Sequence, residues 1–254
     1  VVVRYRTSRG PAEVSADLVI GADGIHSTVR DVVWPTTADP VYAGCTAWRG
    51  VTDEPFDLRG KVSENWGTGA EFGVLALRDR RVYWFGTANL PRATGFPDEH
   101  AEVLRRFAGW PDPIPEVIRA TTPEAVLHHD LFHLPLPLPR FNSGRVALLG
   151  DAAHAQTPHL GQGACLALED AVVLAAAVGA DHDVPRALER YDRQRRRRTE
   201  RLVARSARLG RIIQLENPTG VALRNLVVRA TPMRATLAGV ARITSWTPPT
   251  IRSC

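Results

Sequence analysis

The residues of this chain whose types and spacing could do chemistry gather in one stretch, Gly144 to Val178. Asp151 stands just past the short apolar run Val146 to Leu149, and Gly161-Gln162-Gly163 follows about ten residues later, after a polar connection containing Pro158. The run reads as a buried strand, and ligands of open α/β sheets bind at the carboxyl ends of such strands. Asp151 therefore offers an acceptor for hydroxyl groups. The two glycines open a helix that continues in Ala, Leu and Val, a composition that predicts a buried helix. Its first backbone N–H groups lack intrahelical partners and carry partial positive charge, and glycine lets a ligand come close to them. Gln162 adds an amide. Gly150, Asp151, Gly161, Gln162, Gly163, Ala164 and Cys165 thus form a candidate site pairing a hydroxyl acceptor with donors for a carbonyl or an anion. An ordinary strand, loop and buried helix would not need this polar, Gly-rich junction.

Phosphate would satisfy the donor end alone. A flavin uses both ends, because its ribityl hydroxyls need an acceptor and its isoalloxazine edge needs donors. The segment resembles the second flavin motif of the FAD-dependent aromatic-ring monooxygenases, a family that includes urate, salicylate and kynurenine hydroxylases. It carries that pattern at Gly150, Asp151, Ala152, Ala153, His154, Pro158, Gly161, Gln162, Gly163, Cys165 and Asp170. Upstream, Gly21-Ala22-Asp23-Gly24-Ile25-His26-Ser27-Thr28-Val29-Arg30 resembles the D-G motif of the same family. The resemblance places this segment near the FAD pyrophosphate and implicates it in NAD(P)H use. Asp23 and Gly24 leave a strand through a tight turn, and Ser27 can cap the short helix that follows. Arg30 presents a planar fork either to a phosphate or carboxylate, or to Asp23 or Asp31 as a structural partner. A third segment, Tyr42-Ala43-Gly44-Cys45-Thr46-Ala47-Trp48-Arg49-Gly50-Val51, resembles the start of the substrate-binding sheet in the urate-hydroxylase-like branch. There the position of Arg49 lies close to the flavin ring, which makes Arg49 the candidate catalytic residue. Pairing with Glu64 or Glu71 is its structural alternative.

The elements that must position these residues read as follows. Val1 to Arg6 and Ala16 to Gly21 are predicted strands joined by a turn at Ser8-Arg9-Gly10-Pro11. From Val41 to Pro139 short aromatic-rich strands are predicted at Tyr42 to Val51, Lys61 to Trp66, Phe72 to Leu77 and Arg81 to Thr87. Helices at Asp98 to Ala108 and Pro115 to Ala120 and a strand at Ala125 to Leu134 follow. Such a sheet can line an aromatic cavity, although most of Trp48, Trp66, Phe72, Trp84 and Phe85 are expected in the core. Gly67-Thr68-Gly69-Ala70-Glu71-Phe72-Gly73 has the look of a dinucleotide fingerprint, but it leads into a strand pattern rather than a helix and is rejected as a phosphate loop. Pro135 to Pro139 is a stiff linker, and Pro185 opens a long helix whose basic run, Arg193 to Arg211, reads as a solvated face. No aromatic residue interleaves that run, which argues against nucleic acid as a partner. Residues 218–244 read as short amphipathic helices.

The predicted fold class is α/β and α+β. An incomplete Rossmann-like FAD-binding domain (residues 1–40 and 140–210) carries an inserted, mostly antiparallel β-sheet substrate domain (41–139) and a C-terminal helical extension (211–254). The βαβ unit with G-x-G-x-x-G, with which the family begins, has no counterpart here. The chain starts with Val1 in a strand-like run and holds one methionine, Met233, which suggests a fragment. Autonomous FAD binding by these residues alone is therefore not expected.

At 254 residues, 44% hydrophobic and 23% charged, the composition is that of a globular protein with no apolar run long enough to span a bilayer. Cys45, Cys165 and Cys254 make neither a disulfide framework nor a metal-ligand cluster, as in a reducing cytoplasm. Of the 32 basic residues all but Lys61 are Arg, a skew better explained by genome composition than by a binding surface. The resemblance implies a FAD-dependent monooxygenase that consumes NADH or NADPH. Through a flavin hydroperoxide it would insert one atom of O2 into an aromatic or unsaturated small molecule. It also implies that the helix start at Gly161 to Ala164 faces the N1–C2=O edge, that Asp151 holds a ribityl hydroxyl and that Pro158 shapes the oxygen-side face. A non-hydroxylating flavoprotein of the same fold, a reductase or halogenase, and a non-catalytic truncated chain are the alternatives.

Overall fold

The structure, a computed structural model, describes residues 1–60 and 62–250. Lys61 and Cys254 lie outside the described residues. In chain order the elements are β1 (Val2–Thr7), β2 (Gly10–Ser15), β3 (Val19–Gly21), α1 (Thr28–Val33), β4 (Val41–Val51), β5 (Ser63–Trp66), β6 (Ala70–Ala76), β7 (Val82–Asn89), α2 (Glu99–Phe107) and α3 (Ile114–Arg119). They continue with β8 (Leu127–His133), β9 (Asn142–Ser143), β10 (Val146–Leu148), α4 (Asp151–His154), α5 (Gly163–Gly179), α6 (Val184–Ile213), α7 (Pro218–Ala230) and α8 (Met233–Thr244). The chain divides into two compact units. One comprises Val1–Val41, Phe132–Leu209 and the residues from Met233 onward; the other comprises Tyr42–Leu131 and Gly210–Pro232. Of the residues expected as a C-terminal helical extension, 211–232 fall in the second unit and 233–250 in the first.

In the first unit β10 pairs in parallel with β3 and antiparallel with β9. Its core is built from Leu148, Ala152, Ala153, Val173, Leu174, Leu188 and Tyr191 among others. The strand reading at the amino terminus needs correction. The turn lies at Thr7 to Gly10, and Gly10–Ser15 is itself a strand paired with β1, so the predicted second strand shrinks to Val19–Gly21. The Thr7 hydroxyl donates to the Gly10 carbonyl and accepts from the Arg9 N–H, which closes the turn one step earlier than Gly10-Pro11 suggests. Pro11 is tolerated because this two-stranded ribbon has free edges. α5 departs from expectation too. Leu166, Val173, Leu174 and Ala177 are buried, but Ala164, Cys165, Leu168, Ala171 and Ala175 form an exposed face along the same helix.

The second unit is organised on a five-stranded sheet of order β5-β6-β7-β4-β8. Alternation along β4, β6 and β7 sends Trp48, Phe72, Val74 and Trp84 to one face, where they pack with Val103 and Phe107 of α2 and Ile114, Val117 and Ile118 of α3. α2 starts where Asp98 caps the Ala101 N–H, as its sequence requires. The Gly67 to Gly69 stretch is the connection between the paired strands β5 and β6, so its fingerprint-like glycines belong to a hairpin.

Candidate functional site

In the first unit the turn after β10 is set by Gly150, at φ 58° and ψ −142°, a conformation that glycine adopts readily and side-chain-bearing residues avoid. A Cβ there would also stand 3.1 Å from the Ala167 Cβ of α5, so the turn lies close against that helix. Asp151 begins α4 with an exposed carboxylate, while Ala152, Ala153 and His154 are buried. Pro158 starts a short 3-10 turn that ends at Gly161, a left-handed residue at φ 61°. Gln162 then caps α5 with its backbone but not its side chain. Among the described residues no backbone acceptor meets the N–H groups of Gly163, Ala164 and Cys165. Added Cβ atoms at Gly161 and Gly163 would meet nothing within 4 Å, so these donors face open space.

A buried ionic network stands behind the turn. Asp170, fully buried on α5, accepts the Gly150 N–H at 2.9 Å and a hydrogen bond from His154 Nε2 at 2.6 Å. Its other oxygen takes Arg195 Nε at 2.6 Å. Arg195 also reaches Glu169 at 2.6 Å, and Arg198 forks onto Glu169 with two contacts of 2.7 Å. Burial alone would raise the Asp170 carboxyl, but the His154 hydrogen bond, the charges of His154 and Arg195 and the Gly150 N–H together hold it below the usual carboxylate range. α6 adds two anchors: Tyr191 donates to the Leu148 carbonyl at 2.8 Å, and Ser206 to the Thr157 carbonyl at 2.7 Å. The basic run is therefore not wholly a solvated face, since Arg195 is buried. His154 and Asp170 were read as positions of the flavin-type motif but given no role, and Glu169 and Arg195 were not singled out. The signal for Glu169 was its place beside Asp170 inside an otherwise apolar helix.

The D-G segment is tied to this turn. Asp23 accepts from the Ser27 hydroxyl at 2.5 Å and from the Val29 N–H at 3.1 Å, and the Ser27 oxygen caps the Arg30 N–H at 2.9 Å. Gly24 makes its turn at φ 81°. Arg30 is buried, with its guanidinium on the Ala152 carbonyl at 3.2 Å and the Ile25 carbonyl at 2.8 Å. Asp31 lies 3.6 Å from the same group. Its guanidinium thus meets carbonyls rather than Asp23, and its buried Nε has no hydrogen-bond partner.

Polar atoms without partners cluster along the same loop. His159 is 8% exposed and neither ring nitrogen has a hydrogen-bond partner, nor do the buried amide atoms of Gln156. Burial lowers the His159 imidazole to about 4. Exposed Asp151, unclaimed N–H groups at the start of α5, and glycines facing open space fit a ligand that brings both hydroxyls and an electron-rich edge. A FAD isoalloxazine with its ribityl chain is such a group. Among the described residues no group of His, Cys, Asp or Glu could hold a metal ion, and no helix is long and apolar enough to cross a membrane.

In the second unit, the face of the sheet opposite α2 and α3 carries Arg49, Phe85, Thr87, Glu71 and Glu64. Register places Arg49 opposite Phe85, Phe85 opposite Gly73, and Thr87 opposite Glu71. Arg49 does not pair with either carboxylate named for it. Glu64 accepts the Trp66 indole N–H at 2.6 Å, and Glu71, 2% exposed, has Glu64 as its carboxyl neighbour. Burial, then the Glu64 charge and hydrogen bond, push the Glu71 carboxyl well above the usual range. Gln214 donates to the Thr87 hydroxyl at 2.6 Å, and its buried Oε1 has no partner. A cavity of about 410 Å³ lies at the β5–β6 hairpin, between Gly67–Ala70 and Trp110. Cys45 is buried and Cys165 exposed, both as free thiols.

Comparison with known proteins agrees with the motifs. Residues 1–206 match the family described as FAD binding domain. The chain is 42% identical over 219 residues to aurachin C monooxygenase/isomerase of Stigmatella aurantiaca, an alignment spanning 85% of this chain and 57% of that protein. It is 38% identical over 224 residues to 2-heptyl-3-hydroxy-4(1H)-quinolone synthase of Pseudomonas aeruginosa, covering 85% and 56%. The crystal structure of Klebsiella pneumoniae HpxO complexed with FAD and uric acid superposes with a TM-score of 0.87 at 30% identity, covering 95% of this chain and 63% of that one. The chain thus spans little more than half the length of the curated relatives it matches. With a family match over residues 1–206, this fold and the two flavin-type motifs, the chain belongs to the FAD-dependent aromatic monooxygenase family.

Proposed function

We propose that the chain is part of a FAD-dependent monooxygenase acting on an aromatic or unsaturated small molecule, with NADH or NADPH as reductant. The observation that carries this reading is the exposed Asp151 carboxylate in the same turn system as the unclaimed N–H groups of Gly163, Ala164 and Cys165. When bound, FAD would supply the redox chemistry, passing reducing equivalents from NAD(P)H to O2. The residues of the chain bind and orient. Asp151 accepts a ribityl hydroxyl, and the α5 N–H groups stabilise negative charge on a ring edge with dipoles already aligned. Pro158 forms a wall beside them. Asp23 and Gly24 hold the D-G turn near the pyrophosphate, and Arg30 keeps it joined to the turn after β10 through the Ala152 carbonyl. Arg49 directs a planar fork from the sheet toward the substrate.

The test is flavin affinity of Asp151→Ala in a chain of the relatives' length. Removing a hydrogen bond to a charged group costs about 1.5–3 kcal/mol, so affinity should fall roughly ten- to a hundredfold. Unchanged fluorescence titration would overturn the role of Asp151. Consumption of NAD(P)H with release of peroxide but no oxygenated product, across a panel of aromatic substrates, would overturn the monooxygenase reading.

A further inference from the structure

In the first unit α8 lies along α6 and is held there by one side only. Ile243 packs with Leu202 and Leu166, and Arg198 donates to the Ile243 carbonyl at 3.1 Å. The Arg205 guanidinium lies beside Gly239, where an added Cβ would meet it at 3.6 Å. The rest of the helix faces water. Met233, Leu237 and Val240 follow the 3–4 spacing of one helix face, within about 60° of one another and about a quarter turn from the contact with α6. They are 71%, 59% and 51% exposed, so an apolar row stands more than half in solvent.

The charges around this row have one sign. Arg234 and Arg242 lie on α8 itself, and Arg201, Arg205 and Arg208 line the exposed face of the adjoining end of α6. Residues 201–209 and 233–250 contain no Asp or Glu. Nearer the start of α6 the charges are answered, Arg193 by Glu189 and Arg196 by Glu200. Unanswered positive charge is thus confined to the end where α8 lies.

We propose that α8 and the adjoining end of α6 form a peripheral docking surface for an anionic lipid bilayer. Met233, Leu237 and Val240 enter the acyl boundary, while Arg201, Arg205, Arg208 and Arg234 meet lipid phosphates. An apolar row between rows of Arg matches the layering of a bilayer surface, acyl chains beneath phosphates. A nucleic acid would supply the phosphates and leave the row in water. With 12 residues α8 is too short to cross a bilayer, so it lies in the headgroup plane.

Sedimentation with lipid vesicles tests this in a chain of the relatives' length. Vesicles of phosphatidylcholine with about one third phosphatidylglycerol should bind it at least about fiftyfold more tightly than phosphatidylcholine alone. Salt at about 0.5 M should release most of the bound protein. Arg201→Gln combined with Arg205→Gln should weaken binding about tenfold and flatten its salt dependence. Leu237→Ser combined with Val240→Ser should weaken it about tenfold at every salt concentration, with an unchanged unfolding midpoint because both side chains already stand in water. Equal binding to neutral and anionic vesicles, or binding indifferent to the Leu237 and Val240 replacements, would overturn the docking surface. Absence of vesicle binding would overturn it too. A dimer in light scattering that the same replacements dissolve would then make the row an interface between copies, and binding to duplex DNA would make the Arg face a nucleic-acid surface.

Discussion

Two buried polar regions of this molecule follow opposite rules. Behind the turn at Gly150, each buried charge meets its opposite: Asp170 with Arg195 and His154, Glu169 with Arg195 and Arg198. On the sheet of the other unit, buried Glu71 faces Glu64, and the Gln214 carbonyl faces no donor. The first arrangement is closed and serves to hold backbone, because a satisfied ionic network has one geometry and resists rearrangement. The second pairs like with like and leaves the Gln214 carbonyl unpartnered, and such buried polarity is costly. Satisfaction thus separates the two regions more sharply than residue type does.

The largest effect should come from breaking the closed network. Asp170→Ala leaves Arg195 buried beside a single carboxylate and removes the acceptor for Gly150 and His154, and it should cost about 3–5 kcal/mol in denaturant unfolding. Replacing Asp170 and Arg195 together by apolar residues should cost clearly less than Asp170→Ala alone. If the double variant is the worse one, the network is not the closed unit described here.

His159 should give the next effect, as a dependence on pH. Burial lowers its imidazole from 6.5 to about 4, so between those values the unfolded chain binds a proton that the folded chain does not. Its contribution is complete above pH 6.5 and is lost as pH falls toward 4, amounting to about 3 kcal/mol. In His159→Phe, stability measured across that window should lose this slope. An unchanged slope would mean that the ring is solvated or partnered.

Glu71→Leu should have the opposite sign to Asp170→Ala. It removes a buried carboxyl whose hydrogen-bond partner is another carboxylate, and it should leave stability unchanged or raise it by about 1–2 kcal/mol. A loss comparable to that of Asp170→Ala would make Glu71 a structural residue and erase the contrast. The smallest change is at the rim of the first region. Ser27→Ala removes the cap on Arg30 and a donor to Asp23, and it should cost about 1 kcal/mol in thermal or denaturant unfolding.

Local sequence carried the elements well where one residue type dictates one conformation. Ser27 and Asp98 cap their helices, Gly150 and Gly161 take positive φ, and the alternating apolar residues of β4, β6 and β7 form the core face of the sheet. It misread Gly10-Pro11, because a Gly-Pro pair favours a turn but also fits the start of an edge strand. It misread the exposure of α5 as well, since an Ala- and Leu-rich helix has the same composition whether one face or both are covered.

By itself, then, the sequence determined the flavin-type motifs, the positions of Asp151 and of the α5 start, and the faces of the strands. These follow from spacing, backbone preference and alternation over a few residues. Only the tertiary structure decided what each polar group meets. It turned Arg30 inward onto the carbonyls of Ile25 and Ala152, joined Asp170 to Arg195 across 25 residues, and set Gln214 against Thr87 across 127. Such pairings depend on distances between elements far apart in the chain, and no local rule of propensity or periodicity encodes them.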